Sequence, residues 1–308
     1  MSAIPAPQIE SPDVVVSRPS VWLRLARNPS VILGGVMVLL IALMGIIAAQ
    51  ITSFDPAEIN PSNRNKTPGY EVTIRDDEGN KIQLTAHMGT DSLGRDVYTR
   101  VVYGARVSLS VGIAVAVVSV IVGLVVGLVS GYFRLVDAIV MRIMDGLMAI
   151  PAILLAIGLV SVSGAGIGTV IVAVAVPEIP RVVRLVRSIV LSIREEPYVE
   201  AAISVGTPTP LILIRHVLPN TVAPLIVQAT FICGSAILVE AILSFLGVGI
   251  PPEIPTWGNI MAEGRQFFQL FPHNILYPGI FLTLTVLAIN MLGDGLRDTI
   301  DPRMSKKL

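Results

Sequence analysis

Charge is scarce in this sequence. Only 14% of its residues are Asp, Glu, Lys or Arg, against about 25% in a typical soluble domain. The shortage comes from long uncharged runs, which excludes a purely soluble globule. There is one cysteine, Cys233. It excludes an intrachain disulfide and any thiolate metal cluster, and its apolar surroundings suit a small core residue. The three histidines, His87, His216 and His273, are scattered, and no His-Glu-x-x-His is present, so no metal-ligand spacing or metalloprotease signature exists. The dipeptide Gly-Lys never occurs. That excludes the phosphate-binding loop of a nucleotide hydrolase. Formal net charge is zero, and no basic patch points to nucleic acid.

Apolar runs dominate what is there, and mean hydropathy is +0.76. Runs near 31–51, 107–130, 143–163, 167–186, 222–247 and 275–293 are each long enough to cross a hydrocarbon layer of about 30 Å. They predict an all-α integral membrane protein with six transmembrane helices. The first run is too long for a signal-peptide core and lacks a small-residue exit, which predicts a retained anchor. Before it, residues 20–29 mix Trp22, Leu23 and Leu25 with Arg24 and Arg27, fitting either a short interfacial helix or a plain charged flank. Gly123, Gly127 and Gly131 recur every four residues in the second run, a spacing that admits a close neighbour helix. Pro151, Pro177 and Pro180 predict kinks in the third and fourth runs. Asp145 and Glu178 are read as lying near span ends.

Residues 52–106 form a polar excursion. Tyr70, Val72 and Ile74, then Ile82 and Leu84, alternate with polar residues around Asp76-Asp77-Glu78-Gly79-Asn80, predicting a β-hairpin in a small extramembrane insertion. The chain therefore divides into a tail and interfacial helix (1–30), a first span (31–51), this insertion (52–106), a core of the remaining spans (107–296) and a C-terminal tail (297–308). With both ends cytoplasmic, the inner segments hold fourteen Lys and Arg and the outer ones eight, the sense that the positive-inside rule requires. Residues 187–220 then form a cytoplasmic loop.

In that loop Pro197 suits a helix first turn, Tyr198, Ala201, Ala202 and Val205 share a face, and Gly206 breaks the run. Thr207-Pro208 or Thr209-Pro210 starts a second helix with an apolar stripe at Leu211, Ile214 and Leu218, which Pro219 and Asn220 are expected to end. Residues alone leave two readings open: a partner-docking elbow, or an ordinary loop packed on its own bundle.

The motif Glu200-Ala201-Ala202, with Gly206 four residues on and His216-Val-Leu218-Pro219-Asn220 beyond, resembles the EAA loop of ATP-binding-cassette importer permeases. Further segments resemble the dipeptide, oligopeptide and nickel branch of that family, C-type subunit. They are His87 to Asp96 with Tyr103-Gly104-Ala105-Arg106, Arg142 to Asp145, Glu240 to Gly247 with Pro251-Pro252 and Trp257-Gly258, and Leu292 to Asp298 with Asp301-Pro302-Arg303. The stretch 65–85 is longer than the resemblance implies.

The resemblance implies a type I importer permease fold in a bacterial inner membrane. It also implies a B-type permease partner, two cytoplasmic ATPase subunits that carry ATP and Mg, and an extracytoplasmic solute-binding protein. Glu200, Ala201, Ala202, Gly206, Arg215, His216, Leu218 and Pro219 would couple the chain to the ATPases. No catalytic residue, metal or cofactor is expected in the chain itself. Glu240, the carboxylate well inside an uncharged span, is a candidate for the translocation path or, by preference, for stabilising a bend. Asp91, Arg95, Asp96 and Arg100 are expected to pair locally at the outer face, where the binding protein would dock. The competing class, a stand-alone secondary transporter or channel, would show inverted repeats and several buried ionisable groups, and neither is evident in the sequence.

Overall fold

The structure is a computed structural model that describes residues 21–75 and 81–300. The hairpin turn at Asp76–Asn80, the tail before residue 21 and the basic C-terminal residues Arg303, Lys306 and Lys307 lie outside the described residues. A short helix α1 (Val21–Leu25) leads into α2 (Pro29–Ile46). Asn28 caps α2 by accepting from the Ser30 N–H at 2.9 Å, and Pro29 occupies the first turn where no donor is needed. The Asn28 amide also donates to the Gly295 carbonyl and the Thr299 hydroxyl, both at 3.2 Å. It thereby pins the start of α2 to the far end of the chain's last helix. The outward side of α2 is wholly apolar (Leu33, Val36, Leu39 and Leu40 are exposed), as lipid contact demands.

After a short α3 (Ala48–Ile51), the excursion contains the expected hairpin. Strands β1 (Tyr70–Arg75) and β2 (Lys81–Ala86) pair antiparallel from Tyr70↔Ala86 to Arg75↔Lys81. Helix α4 (Val97–Tyr132) begins ten residues before the expected span. The sequence reading stopped at Arg100 and Arg106; the helix continues because Arg100 is fully buried among partners. Asp96 caps it, its Oδ2 accepting from the Thr99 N–H and hydroxyl, both at 2.7 Å.

Helices α5 (Arg134–Ala149) and α6 (Ala152–Ser163) are long and apolar enough for a span only as a pair, and they are bent by 92° at Ile150–Pro151, where proline cannot continue the ladder. Helix α7 (Ile167–Arg194) lies along α4. A Cβ on Gly123, Gly127 or Gly131 would come within 2.5, 2.7 and 2.7 Å of Val182, Val186 and Val190 respectively. Contacts rising together in sequence make the two helices parallel, as alternate spans must be. Then come α8 (Pro197–Ser204), α9 (Thr209–Ile212), a π-helical turn (Leu213–Val217), α10 (Leu218–Phe245), α11 (Trp257–Gly264) and α12 (His273–Ile300).

Among the described residues four unbroken helices are long and apolar enough to cross a membrane, and the bent α5–α6 pair makes a fifth. Helix α7 stands at the fourth expected run, but Glu178, Arg181 and Arg184 interrupt its apolar stretch, so it does not count as a sixth apolar span. Two cores hold the bundle: a valine-rich one shared by α4, α7 and α10, and a second around Trp257 between α4, α10, α11 and α12.

Gly127→Leu should destabilise the detergent-solubilised chain by about 1–3 kcal/mol through overpacking against Val186. Gly158→Leu, at a glycine with open space around it, should leave the thermal unfolding midpoint near that of the parent. Equal midpoints for the two variants would show that the α4–α7 seam is not a close contact.

Candidate functional site

The loop between α7 and α10 is built by standard helix-end chemistry. Pro197 fills the first turn of α8. The helix stops at Gly206, whose φ of +83° lies in the left-handed region. The Gly206 N–H bonds the Ile203 carbonyl at 2.9 Å and the Thr207 N–H bonds that of Ala202 at 3.0 Å, the paired bonds of a glycine C-terminal cap. No neighbour crowds Gly206, so conformation rather than space requires glycine there.

The second helix departs from expectation. Pro219 and Asn220 do not end it. The chain passes through the π-helical turn and continues into α10 without a break. Pro219 has no N–H to give the carbonyl one turn back, and the wider turn accommodates this. Leu218 N–H reaches back five residues to the Leu213 carbonyl, and the Asn220 side chain donates to the His216 carbonyl at 2.7 Å. The elbow is thus rigidly continuous with a transmembrane helix.

Val199, Ile212 and Val217 are buried and fasten the elbow to the bundle. Glu200, Ala201, Gly206, Arg215 and Pro219 are exposed, while Ala202, His216 and Leu218 are half-buried. The His216 and Tyr198 rings lie 5.9 Å apart. The outward surface is more apolar than the motif suggested: Val205 is 86% exposed and Ile214 63%, beside exposed Tyr198, Ile203 and Leu211.

At the other end of the bundle, the structure brings Asp91, Arg95, Asp96 and Arg100 together and buries all four. In this arrangement they cannot themselves touch a docked protein. Asp91 accepts from the Arg95 Nε at 2.7 Å, and the Arg95 Nη2 pairs with Glu263 on α11. Arg100 lies 3.5 Å from Glu263 and 3.9 Å from Asp91 and donates to the carbonyls of Pro56 and Pro252 at 3.3 and 3.2 Å. Two arginines therefore clasp the 52–60 segment, α4, the loop after α10 and α11. Burial pushes the Glu263 carboxyl up, against the pull of Arg100 and Arg95. Burial also raises Asp96, against its bonds to Thr99. Glu263 was not anticipated. The signal for it was charge balance: Asp96 is used in capping, so the second arginine needs an acid from elsewhere.

Glu240 is fully buried near the C-terminal end of α10. It accepts from Ser244 at 2.8 Å and Ser108 at 3.4 Å, with Thr256 a third partner. It therefore ties α10 to α4 and to the start of α11. Beside it Trp257 donates to the Val101 carbonyl at 3.0 Å, and the Asn259 amide is shared among the carbonyls of Ile250, Pro251 and Ile254 at 3.0–3.1 Å.

Residues 108–306 match the family described as binding-protein-dependent transport system inner membrane component. The chain belongs to that family. Residues 20–68 match a second description, the N-terminal transmembrane domain of oligopeptide transport permease C. The permease is 51% identical over 281 residues to a probable peptide ABC transporter permease of Sinorhizobium fredii, covering 91% of each chain. It is 40% identical to a dipeptide transport system permease of Alkalihalophilus pseudofirmus, over 97% of this chain and 96% of that one. It is 39% identical to a glutathione transport system permease of Escherichia coli, over 92% and 89%. In fold it is similar to a chain of the MetNI methionine ABC transporter in inward-facing conformations, with TM-score 0.50 and 20% identity over 66% of this chain and 97% of that chain.

The arginine clasp of this permease yields a stability test. Glu263→Gln leaves two buried arginines with one acid, and removing one partner of a buried pair costs about 3–5 kcal/mol. Because Glu263 is partly exposed, the lower end applies. Thermal unfolding in detergent should show a clear loss for Glu263→Gln and almost none for Glu253→Gln, an exposed position. Matching curves would remove the clasp as a stabilising element.

Proposed function

We propose that this permease is the C-type membrane subunit of an ATP-driven importer for short peptides or similarly small solutes. It forms half of the translocation pathway with a B-type partner and carries no chemistry of its own. ATP and Mg are bound by two cytoplasmic ATPase subunits, and an extracytoplasmic protein delivers the solute. Peptide-like cargo is supported by the relatives, which are named for the transport of peptides, dipeptides and glutathione.

The observation that carries the coupling role is the elbow. Its outward apolar residues lie in a polar loop where lipid need not cover them, and contiguous exposed apolar surface of this kind marks a docking site. Closure of the ATPases would move α8 as a rigid body. The glycine cap at Gly206 transmits that movement to α9, and the unbroken run from α9 through the π turn carries it into α10. Both termini are placed in the cytoplasm with the elbow. Arg181 and Arg184 lie within α7, and without them the bias is still twelve basic residues inside against eight outside.

The test is co-expression with the neighbouring ATPase, permease and binding-protein genes. Val205→Glu adds charge at a nearly free position. It should reduce ATPase co-purification and solute-stimulated hydrolysis about tenfold, the scale of one lost interface contact of 1.4 kcal/mol. Gly206→Pro and Glu200→Lys should fall in the same direction, with the permease itself still folded in the membrane. If all three variants hold the ATPase as the parent does, the elbow is not the coupling surface.

A further inference from the structure

Helix α7 carries charge where the bilayer is deepest. Its depth can be read from α4, which is uncharged from Val107 to Phe133 with its midpoint near Val120. Ser119 touches the Ala175 carbonyl at 3.4 Å, and Gly123 lies against Val182. Glu178 and Arg181 fall between those two contacts. They therefore lie within about one helical turn of mid-membrane, not near a span end as the sequence alone suggests.

The exposed side of the bundle is not uniform at this depth. On α4 it consists of Ile113, Val117, Ile121 and Val125, and on α12 of Leu284 and Leu287, which suit lipid. On α7 it carries Arg181 at 52% exposure and Arg184 at 44%. A guanidinium cannot face acyl chains at mid-membrane without a large cost, so this side of α7 faces water or protein.

The two arginines are held differently. Arg184 is paired across to Asp145 on α5 at 2.5 Å, which fixes the two helices together. Arg181 is held from its own helix: its Nη1 alone donates to both Glu178 oxygens, each at 3.0 Å. Glu178 is nearly buried and also accepts from Ser235 on α10 at 3.4 Å. Among the described residues the Nε and Nη2 of Arg181 have no partner. A guanidinium anchored through one nitrogen, with the remaining fork free, is oriented to take a planar two-oxygen acceptor.

We propose that Arg181, positioned by Glu178 and Ser235, faces the water-filled translocation pathway at mid-membrane and binds the carboxylate of the solute in transit. This rests on the importer reading above and adds to it a specific station for the anionic end of the cargo. The pair is net neutral, so an entering carboxylate is attracted by the free fork yet not trapped, because Glu178 remains to recapture the arginine when the solute leaves.

Two measurements on the full complex in lipid nanodiscs or proteoliposomes test it. In a Cys233→Ser background, Arg181→Cys should react with a charged, membrane-impermeant thiol reagent about tenfold or more faster than Ile121→Cys on the lipid side of α4. This arm needs no transport and therefore stands even if the importer reading fails. In the second arm the parent should take up dialanine better than its C-terminal amide. Arg181→Ala should lower dialanine uptake about tenfold or more and bring the ratio of the two toward one, with Arg181→Lys intermediate. Hydrolysis stimulated by loaded binding protein should stay within about twofold of the parent. Labelling as slow as that of Ile121→Cys would place Arg181 against the partner permease and overturn the proposal. So would labelling with unchanged dialanine selectivity. Loss of ATPase assembly in the parent itself would instead sink the importer reading.

Discussion

The glycines at 123, 127 and 131 leave α4 bare along one line, and Val182, Val186 and Val190 of α7 occupy that line. Without a hydrophobic effect between helices in lipid, such close backbone approach is what dispersion forces need in order to hold two spans together. The remaining geometry follows from it. Helix α7 is held parallel to α4 at a fixed height, so Glu178 and Arg181 are fixed in depth, and Arg184 and Arg187 are brought to where Asp145 and Asp137 of α5 can meet them. Helix α5 is thereby fastened to α7. The elbow that follows α7 starts from a fixed position beneath the bundle.

Polar groups are handled in opposite ways at the two ends. At the end where α4 begins they are concentrated and buried: two arginines, two acids and several carbonyls form one knot, with Glu240 satisfied by hydroxyls beside it. Burying so many charges is tolerable only because each finds partners. At the opposite end the elbow keeps its charges exposed and shows apolar surface as well. A bundle knotted at one end and extended at the other is suited to pivot about the knot.

Much of this was legible in the residues. Hydrophobic run length gave the order of the long helices, although among the described residues four of them, or five with the bent pair, rather than six are long and apolar enough to span; alternation gave the hairpin, and proline with glycine gave the start and break of α8. These signals are local. The misreadings were all places where a local rule met a non-local partner. The second run reads as starting at 107, although α4 begins at Val97, because the partners that bury Arg100 lie on other segments. Pro219-Asn220 looked like a helix stop, yet the chain passes through a π turn into α10 without a break. The four charges of the 91–100 stretch read as pairing locally at a docking face; Asp91 and Arg95 do pair, but the further partner Glu263 stands 163 residues from Arg100 in sequence and nothing nearby announced it.

The π turn has a geometric consequence of its own. An α-helix advances about 100° per residue, and a π turn accommodates one residue more than the α-helical count. Leu213–Val217 therefore acts as an angular offset between the elbow and α10. Which sides of α10 meet α4 and α7 depends on that offset, although Ser235 and Glu240 lie far from it in sequence. Removing one residue from the turn would relax it to plain α-helix and rotate the whole of α10 by about a quarter turn. Ser235 would leave Glu178 and Glu240 would leave Ser108, with no residue of either pair altered. The azimuth of a transmembrane helix is thus encoded in a five-residue segment outside the membrane.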